Sequence, residues 1–289
     1  MINKILGDAI NLLLYGGTFI GLCAACITAF SFELTGNLSD HLTYVLFVGT
    51  ATAGLYCAHR VVGLKRVERV HNSNRFNIIR RFKAHIWWYT GMWGLISLWL
   101  FVRMQEPLML VYLIPGGIVA AGYVLPVLPG GKRLRDLGWG KIVMIGWSWG
   151  WLTAFVPMIY FAESSWAMAV IHGLERMLFI ILLTLPFEIR DISIDRQVGL
   201  INIASRFGQK RIMGIARITA VVAVLLSIVV SFQYLNPSYA LTMIIIVAIT
   251  LPLIPVSYHI DDDYYFSGLL DGLMILAPVL FTVLHQIIP

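Results

Sequence analysis

The apolar positions of this chain fall in long unbroken runs rather than in amphipathic alternation. A helix needs ~20 such residues to cross roughly 30 Å of hydrocarbon, and runs of that order occupy 9–31, 42–62, 86–104, 107–128, 141–162, 165–187, 212–232, 237–256 and 267–287. Inside lipid every backbone N–H and C=O must be satisfied within its own segment, so each run is predicted to be a helix. The predicted fold class is all-α, a polytopic integral membrane bundle of about nine transmembrane helices. The connections leave no room for a separate soluble domain, so 1–289 is expected to be a single transmembrane domain. The first run is too long, and lacks the small-residue cleavage site, for a removed signal peptide, and is expected to be a retained span.

Composition agrees: hydrophobic residues make up 59% and charged residues 12%, about half the charged fraction that a soluble surface carries. Cys23, Cys26 and Cys57 all fall inside apolar runs, at spacings that match neither a zinc site nor a disulfide framework. Charge is distributed unevenly. Lys65, Arg66, Arg69, Arg75, Arg80, Arg81 and Lys83 follow the second run; Lys132, Arg133, Arg135 and Lys141 follow the fourth; Arg190, Arg196, Arg206, Lys210 and Arg211 follow the sixth. The intervening connections carry Glu33, Asp40, Glu106 and Glu163 with Arg103 as their lone cation. The positive-inside rule then sets the basic connections and the N-terminus in the cytoplasm, in an inner (plasma) membrane. The connection at 63–85, a mixture of Arg, Asn and His, exceeds what a topology signal requires. Such a surface suits a phosphate group or acidic headgroups.

The sharpest local signal is Leu185-Pro-Phe-Glu-Ile-Arg-Asp-Ile-Ser-Ile-Asp-Arg-Gln-Val-Gly199 at the cytoplasmic end of the sixth run. If this stretch is helical, Glu188, Asp191 and Asp195 stand at i, i+3 and i+7 on one stripe. Clustered carboxylates repel unless a cation lies between them, and a few such oxygens are what Mg²⁺ uses when it also holds a diphosphate. A solvated helix end with Arg190 and Arg196 in local ion pairs is the alternative.

The stretch Ile189-Arg-Asp-Ile-Ser-Ile-Asp-Arg-Gln-Val-Gly199 resembles the second aspartate-rich motif of the UbiA-type intramembrane prenyltransferases, followed by Ile201-Asn-Ile-Ala-Ser-Arg-Phe-Gly208, in which Asn202 stands where that family commonly has Thr. A second resemblance runs from Tyr123 through the basic pair Lys132 and Arg133 to the Gly- and Trp-rich Gly146-Trp-Ser-Trp-Gly-Trp151. The resemblance implies a helical bundle around a lipid-accessible cavity, and transfer of a polyprenyl group from its diphosphate to an apolar or aromatic acceptor. It implies Mg²⁺ held by Asp191 and Asp195 with Glu188, and substrate contacts from Tyr123, Lys132, Arg133, Arg190 and Asn202. The expected partners are the bilayer and a polyprenyl diphosphate, with no nucleic acid.

One departure matters. The family's first aspartate-rich motif should fall near Tyr56-Cys-Ala-His-Arg-Val-Val-Gly-Leu64, where there is no carboxylate. Tyr56, His59, Arg60 and Gly63 instead form a polar stripe at i, i+3, i+4 and i+7. A cationic stripe cannot hold Mg²⁺, but an Arg fork pairs with phosphate, so Arg60, with His59 and Tyr56, is expected to contact the diphosphate directly. The alternative is a non-catalytic UbiA-like protein that binds an isoprenoid lipid or a partner protein. A transporter is the third class, for which the chain shows no internal repeat.

Further charges stand in unusual places. Glu175 and Arg176 lie near the middle of a run, where unpaired charge is costly, and each is expected to find a partner on another helix. Asp261-Asp-Asp263 reads as a solvated acidic connection, and Asp271 as an acid facing the interior. Trp87, Trp88, Tyr89 and Trp139 bracket run ends as interfacial residues do, whereas Trp147, Trp149 and Trp151 either pack helices or line a cavity for an isoprenoid chain.

Overall fold

The computed structural model describes residues 2–67, 74–138, 140–197 and 199–288. Arg69 and Trp139 lie outside the described residues, as do the side chains of Lys65, Arg66 and Arg75. The described residues are helical and contain no named strand, in the order α1 (Ile2–Tyr15), α2 (Thr18–Thr35), α3 (Leu42–Val67), α4 (Asn74–Arg81), α5 (Lys83–Met104), α6 (Met109–Val124), α7 (Gly140–Gly150), α8 (Trp166–Arg190), α9 (Ile192–Gln197), α10 (Ile203–Gln233), α11 (Pro237–Val256) and α12 (Asp271–Ile287). Wide π-helical turns at Trp151–Phe155 and Pro157–Phe161 extend α7, and another at Tyr264–Leu270 leads into α12. Among the described residues, seven segments are long and apolar enough to cross a membrane: Thr18–Thr35, Ser39–Gly63, Gly140–Phe161, Trp166–Arg190, Ile203–Gln233, Pro237–Val256 and Tyr264–Ile287. The chain is a multi-pass α-helical membrane protein.

The predicted runs correspond to these helices with three differences. The run at 9–31 is broken at Gly16–Gly17, where Gly17 takes φ +75° and the chain leaves α1 to begin α2. The runs at 86–104 and 107–128 become α5 and the 16-residue α6, which stand outside the set of seven. Much of the 63–85 connection is helical, in the end of α3 and in α4.

The chain divides into two compact units. The first comprises Met1–Ala25 and Thr43–Gln105. Its helices α2 and α3 cross on small residues: a Cβ added to Gly21 would lie 2.7 Å from Gly49 O and 2.8 Å from Ala53 Cβ, and one added to Gly49 would lie 2.9 Å from Gly21 O. This is the close approach that small-xxx-small spacing permits where lipid supplies no hydrophobic drive between helices.

The second unit comprises Cys26–Leu42 and Glu106–Pro289. Ile142 of α7, Leu182, Leu185 and Ile189 of α8, Ile212 and Ala216 of α10 and Ile254 of α11 form its buried apolar cluster at the end where the carboxylate motif lies. At the opposite end of α8, Ser165 Oγ accepts from Met168 N. One cap marks the carboxylate end: Asn202 Oδ1 accepts from Ser205 N at the start of α10. Gly208, at φ 72° and ψ 169°, bends α10 one turn later. On the same helix Ile218, Val221, Leu225 and Phe232 are exposed, as lipid-facing residues are.

Candidate functional site

The acidic motif closes α8. Asp191 is the cap of α8, and α9 begins at Ile192, so Glu188, Asp191 and Asp195 do not share the single uninterrupted helical stripe expected. The chain nonetheless keeps helical bonding through the junction, with Asp191 N donating to Phe187 O at 2.9 Å and Asp195 N to Asp191 O at 2.8 Å. Glu188 and Asp195 thereby reach the same point. The residue they meet there is Lys141, in the first turn of α7, whose Nζ lies 2.7 Å from Glu188 Oε1 and 3.4 Å from Asp195 Oδ2. All three are buried, at 5% exposure for Lys141, 1% for Glu188 and 6% for Asp195.

Asn202 completes this cluster. Its Nδ2 donates to Asp195 Oδ2 and to Glu188 O, both at 2.9 Å, while its Oδ1 caps α10, so one amide ties α8, α9 and α10 together. Glu188 Oε2 is buried and has no hydrogen-bond donor among the described residues.

Asp191 turns to another cation. Arg190 Nε donates to Asp191 Oδ1 at 3.0 Å and Arg190 Nη1 to Asp263 Oδ1 at 3.1 Å, and its guanidinium lies 5.0 Å from the Phe187 ring centroid and 4.9 Å from that of Phe266. Asp263 thus serves a structural pair rather than the fully solvated connection expected of 261–263, and Asp271 lies within electrostatic range of the same arginine.

The segment between α6 and α7 supplies the remaining charge. Its two short 3₁₀ turns, Pro129–Gly131 and Leu134–Leu137, are set by Gly130 and Gly138 at positive φ. Arg133 is buried and held in its own turn by Asp136, with N to Oδ2 at 2.9 Å and Nη2 to Oδ1 at 3.2 Å. Lys132 is exposed. Arg135 lies over the Tyr123 ring at 5.5 Å. Burial disfavours its charge, but the neighbouring Tyr123, Asp191, Asp195 and Asp136 outweigh that and hold the guanidinium above its ordinary range.

The expected phosphate-binding stripe lies in the first unit. Tyr56, His59 and Arg60 are on α3, and Arg60 Nη1 donates to Leu14 O at the last turn of α1, with its guanidinium 5.2 Å from the Tyr15 ring centroid. A cation there meets the unsatisfied carbonyls of a helix C-terminus.

Two further features belong to the second unit. Trp147 stacks on Trp151 at 5.2 Å and Trp151 on Phe155 at 4.1 Å, an aromatic ladder along one side of α7 and its π-helical extension. Trp149 is not part of this ladder. Deeper in the span, Glu175 and Arg176 are fully buried with partners on other helices, as expected. Glu175 accepts from Tyr239 OH at 2.9 Å and Ser227 Oγ at 3.2 Å, while Arg176 donates to Ile27 O at 2.5 Å and Ser31 Oγ at 3.4 Å.

Sequence reasoning does not find Lys141 as a site residue. In the sequence it is one more basic residue of a connection, because the pairing depends on α7 and α8 lying side by side, which neither sequence segment displays.

No protein-family model and no curated protein matches the chain. Solved structures do. A UbiA homologue from Archaeoglobus fulgidus, bound to GPP and Mg²⁺, aligns with a TM-score of 0.66 at 15% identity over 94% of this chain and 99% of that one. An apo UbiA homologue from Aeropyrum pernix K1 gives 0.66 at 14% identity over 94% and 97%. A digeranylgeranylglyceryl phosphate synthase gives 0.52 at 15% identity over 96% and 98%. The chain has the UbiA fold.

The Archaeoglobus structure carries Mg²⁺, and the acidic end of α8 offers that ion carboxylates. Carboxylate oxygens are the right chemistry. The arrangement, however, does not fit it: among the described residues no three His, Cys, Asp or Glu side chains form a group able to hold a metal, the ammonium of Lys141 bridges Glu188 and Asp195, and Asp191 is engaged by Arg190. This differs from the expectation that Glu188, Asp191 and Asp195 together carry Mg²⁺. The cause is two of the chain's own cations, Lys141 from α7 and Arg190 from the end of α8.

Proposed function

We propose that this chain, built on the UbiA fold, binds a polyprenyl diphosphate and transfers its prenyl group to an apolar or aromatic acceptor within the bilayer. The observation that carries the reading is the convergence of Lys141, Arg135 and Arg190 on the acidic end of α8, in a fold among whose solved neighbours are structures bound to GPP and to DMAPP. By the positive-inside rule this end faces the cytoplasm.

In this reading Lys132 and Arg135 meet phosphate oxygens, Arg135 through its planar fork. Arg133, pinned by Asp136, shapes the turn that carries them. Arg190 and Asn202 hold Asp191 and Asp195 in place, and Tyr123 backs Arg135. On the strength of their sequence stripe alone, Arg60, His59 and Tyr56 are assigned to contact a diphosphate. Ionisation breaks the allylic C–O bond, and the diphosphate leaves with the electron pair; positive charge beside the leaving oxygen lowers that barrier. The acceptor forms the new bond and gives up a proton, for which Glu188 Oε2 is a buried acceptor without a donor among the described residues. The Trp147, Trp151 and Phe155 ladder offers the prenyl chain an aromatic wall.

The second reading is a non-catalytic isoprenoid-binding or partner-binding protein. It is favoured by the absence of a carboxylate in Tyr56–Leu64 and by the protein's own cations at the α8 carboxylates. Turnover separates the two. Detergent-purified protein incubated with geranylgeranyl diphosphate and a panel of phenolic and quinol acceptors is expected to release inorganic diphosphate and yield a prenylated product. Absence of both from every acceptor, with the lipid still bound, would favour the second reading.

A further inference from the structure

We infer that Lys141 is the resident cation of this site and takes the place of a divalent metal, so that the site handles a diphosphate without Mg²⁺. The substrate half of this statement rests on the prenyl-diphosphate reading above; the metal half stands on geometry alone.

A lysine is seldom buried unless paired, and a cation in the first turn of a helix opposes the helix dipole. Lys141 stands in just such a place, buried in the first turn of α7. Glu188 and Asp195 compensate both penalties, one from the end of α8 and the other from α9. The ammonium therefore does between these two carboxylates what a metal ion does: it relieves their mutual repulsion and fixes their positions. The second oxygen contact is shared, since Asp195 Oδ2 also accepts from Asn202. Asp191, the remaining acid of the motif, is neutralised by Arg190 in turn. A divalent ion drawn to the same oxygens would lie beside a fixed like charge and would have to expel Lys141 to bind.

The sequence points the same way independently. Tyr56–Leu64, where a second set of carboxylates would be expected, contains His59 and Arg60 and no acid. At both places the chain carries protein cations, one set facing the acidic motif and the other replacing it.

The test uses Mn²⁺ as a paramagnetic substitute for Mg²⁺, titrated into the detergent-purified full chain and followed by the loss of the free-ion EPR signal. The wild type is expected to bind no Mn²⁺ that depends on Glu188 or Asp195. Lys141→Gln, which leaves the carboxylates facing each other, is expected to bind one Mn²⁺ per chain, tighter than the wild type by more than about tenfold, the scale on which neighbouring groups move metal affinity. In that variant Mn²⁺ should also raise the melting temperature. Should Lys141→Gln fail to fold, Lys141→Arg keeps the charge and must stay as metal-free as the wild type. Wild-type or Lys141→Arg protein that binds one Mn²⁺, lost on Asp195→Asn, would overturn the inference.

A parallel arm measures stabilisation by geranylgeranyl diphosphate in EDTA and in Mg²⁺. Equal stabilisation supports metal-free handling. Stabilisation that requires Mg²⁺ overturns the inference and leaves the proposed function intact. No stabilisation in either condition removes the proposed function, and the Mn²⁺ result then decides the metal half by itself.

Discussion

Replacing Lys141 with Met should destabilise the protein severely, for a reason confined to one carboxylate. The ammonium bridges Glu188 and Asp195, all three groups being at most 6% exposed. Asp195 retains a donor, because Asn202 Nδ2 lies 2.9 Å from its Oδ2. Glu188 does not: its Oε2 already lacks a donor among the described residues, and Oε1 would lose the contact at 2.7 Å. Removing one partner of a buried ion pair costs about 3–5 kcal/mol, whereas removing both charges together is often close to neutral. At ~2 °C per kcal/mol for a chain of this length, the melting temperature in detergent should fall by roughly 6–10 °C. The assay is intrinsic-fluorescence melting of Lys141→Met, Glu188→Gln and the double variant. The double variant should recover most of the loss, since Glu188→Gln removes the stranded charge. A fall of less than ~2 °C for Lys141→Met, or a double variant whose losses simply add, would refute the reasoning.

Other consequences are separable from this one. Arg176→Met should cost about 1–3 kcal/mol, because it removes the donors to Ile27 O and Ser31 Oγ deep in the span, while Glu163→Ala in an exposed connection should be silent by the same melting assay. Gly21→Val should abolish folded expression, since an added Cβ would lie only 2.7 Å from Gly49 O, whereas Gly63→Ala, with nothing within 4 Å of the added Cβ, should express normally. Arg190→Leu should loosen both Asp191 and Asp263 and speed proteolysis of the 257–264 connection, with protease cleavage sites read by mass spectrometry. Arg60→Gln should lose the contact to Leu14 O and weaken binding of geranylgeranyl diphosphate, whereas Arg60→Lys should keep part of both.

What was legible in the sequence was whatever depends on local order. Run length announced the spans because backbone groups in lipid leave a helix little alternative, and the 237–256 run coincides with α11. The acidic motif was legible through its spacing, and the mid-span Glu175 and Arg176 through the cost of charge at that depth. Lys141 was not legible. Nothing in Gly140-Lys-Ile-Val-Met distinguishes a topology-setting lysine from one that turns inward, because the difference lies in Glu188 and Asp195, 47 and 54 positions further along. Asn202 was read through its place beside the acidic motif, yet its work as a cap and as a tether for Asp195 needs the α9–α10 turn to exist. The break at Gly16–Gly17 was available as a paired-glycine signal, but the apolar run was continuous across it, and hydropathy outweighed turn chemistry.

The central claim, that this fold here serves a prenyl diphosphate, is tested most directly by comparing two ligands that share a chain and differ only in charge. Melting temperatures of the detergent-purified protein should be measured with geranylgeranyl diphosphate and with geranylgeraniol, each against Arg135→Gln as well as the wild type. A diphosphate that stabilises more than the alcohol, by an increment that Arg135→Gln diminishes, is the predicted result. Equal stabilisation by both ligands, unchanged in Arg135→Gln, would mean that the protein recognises the isoprenoid chain alone and would contradict the account.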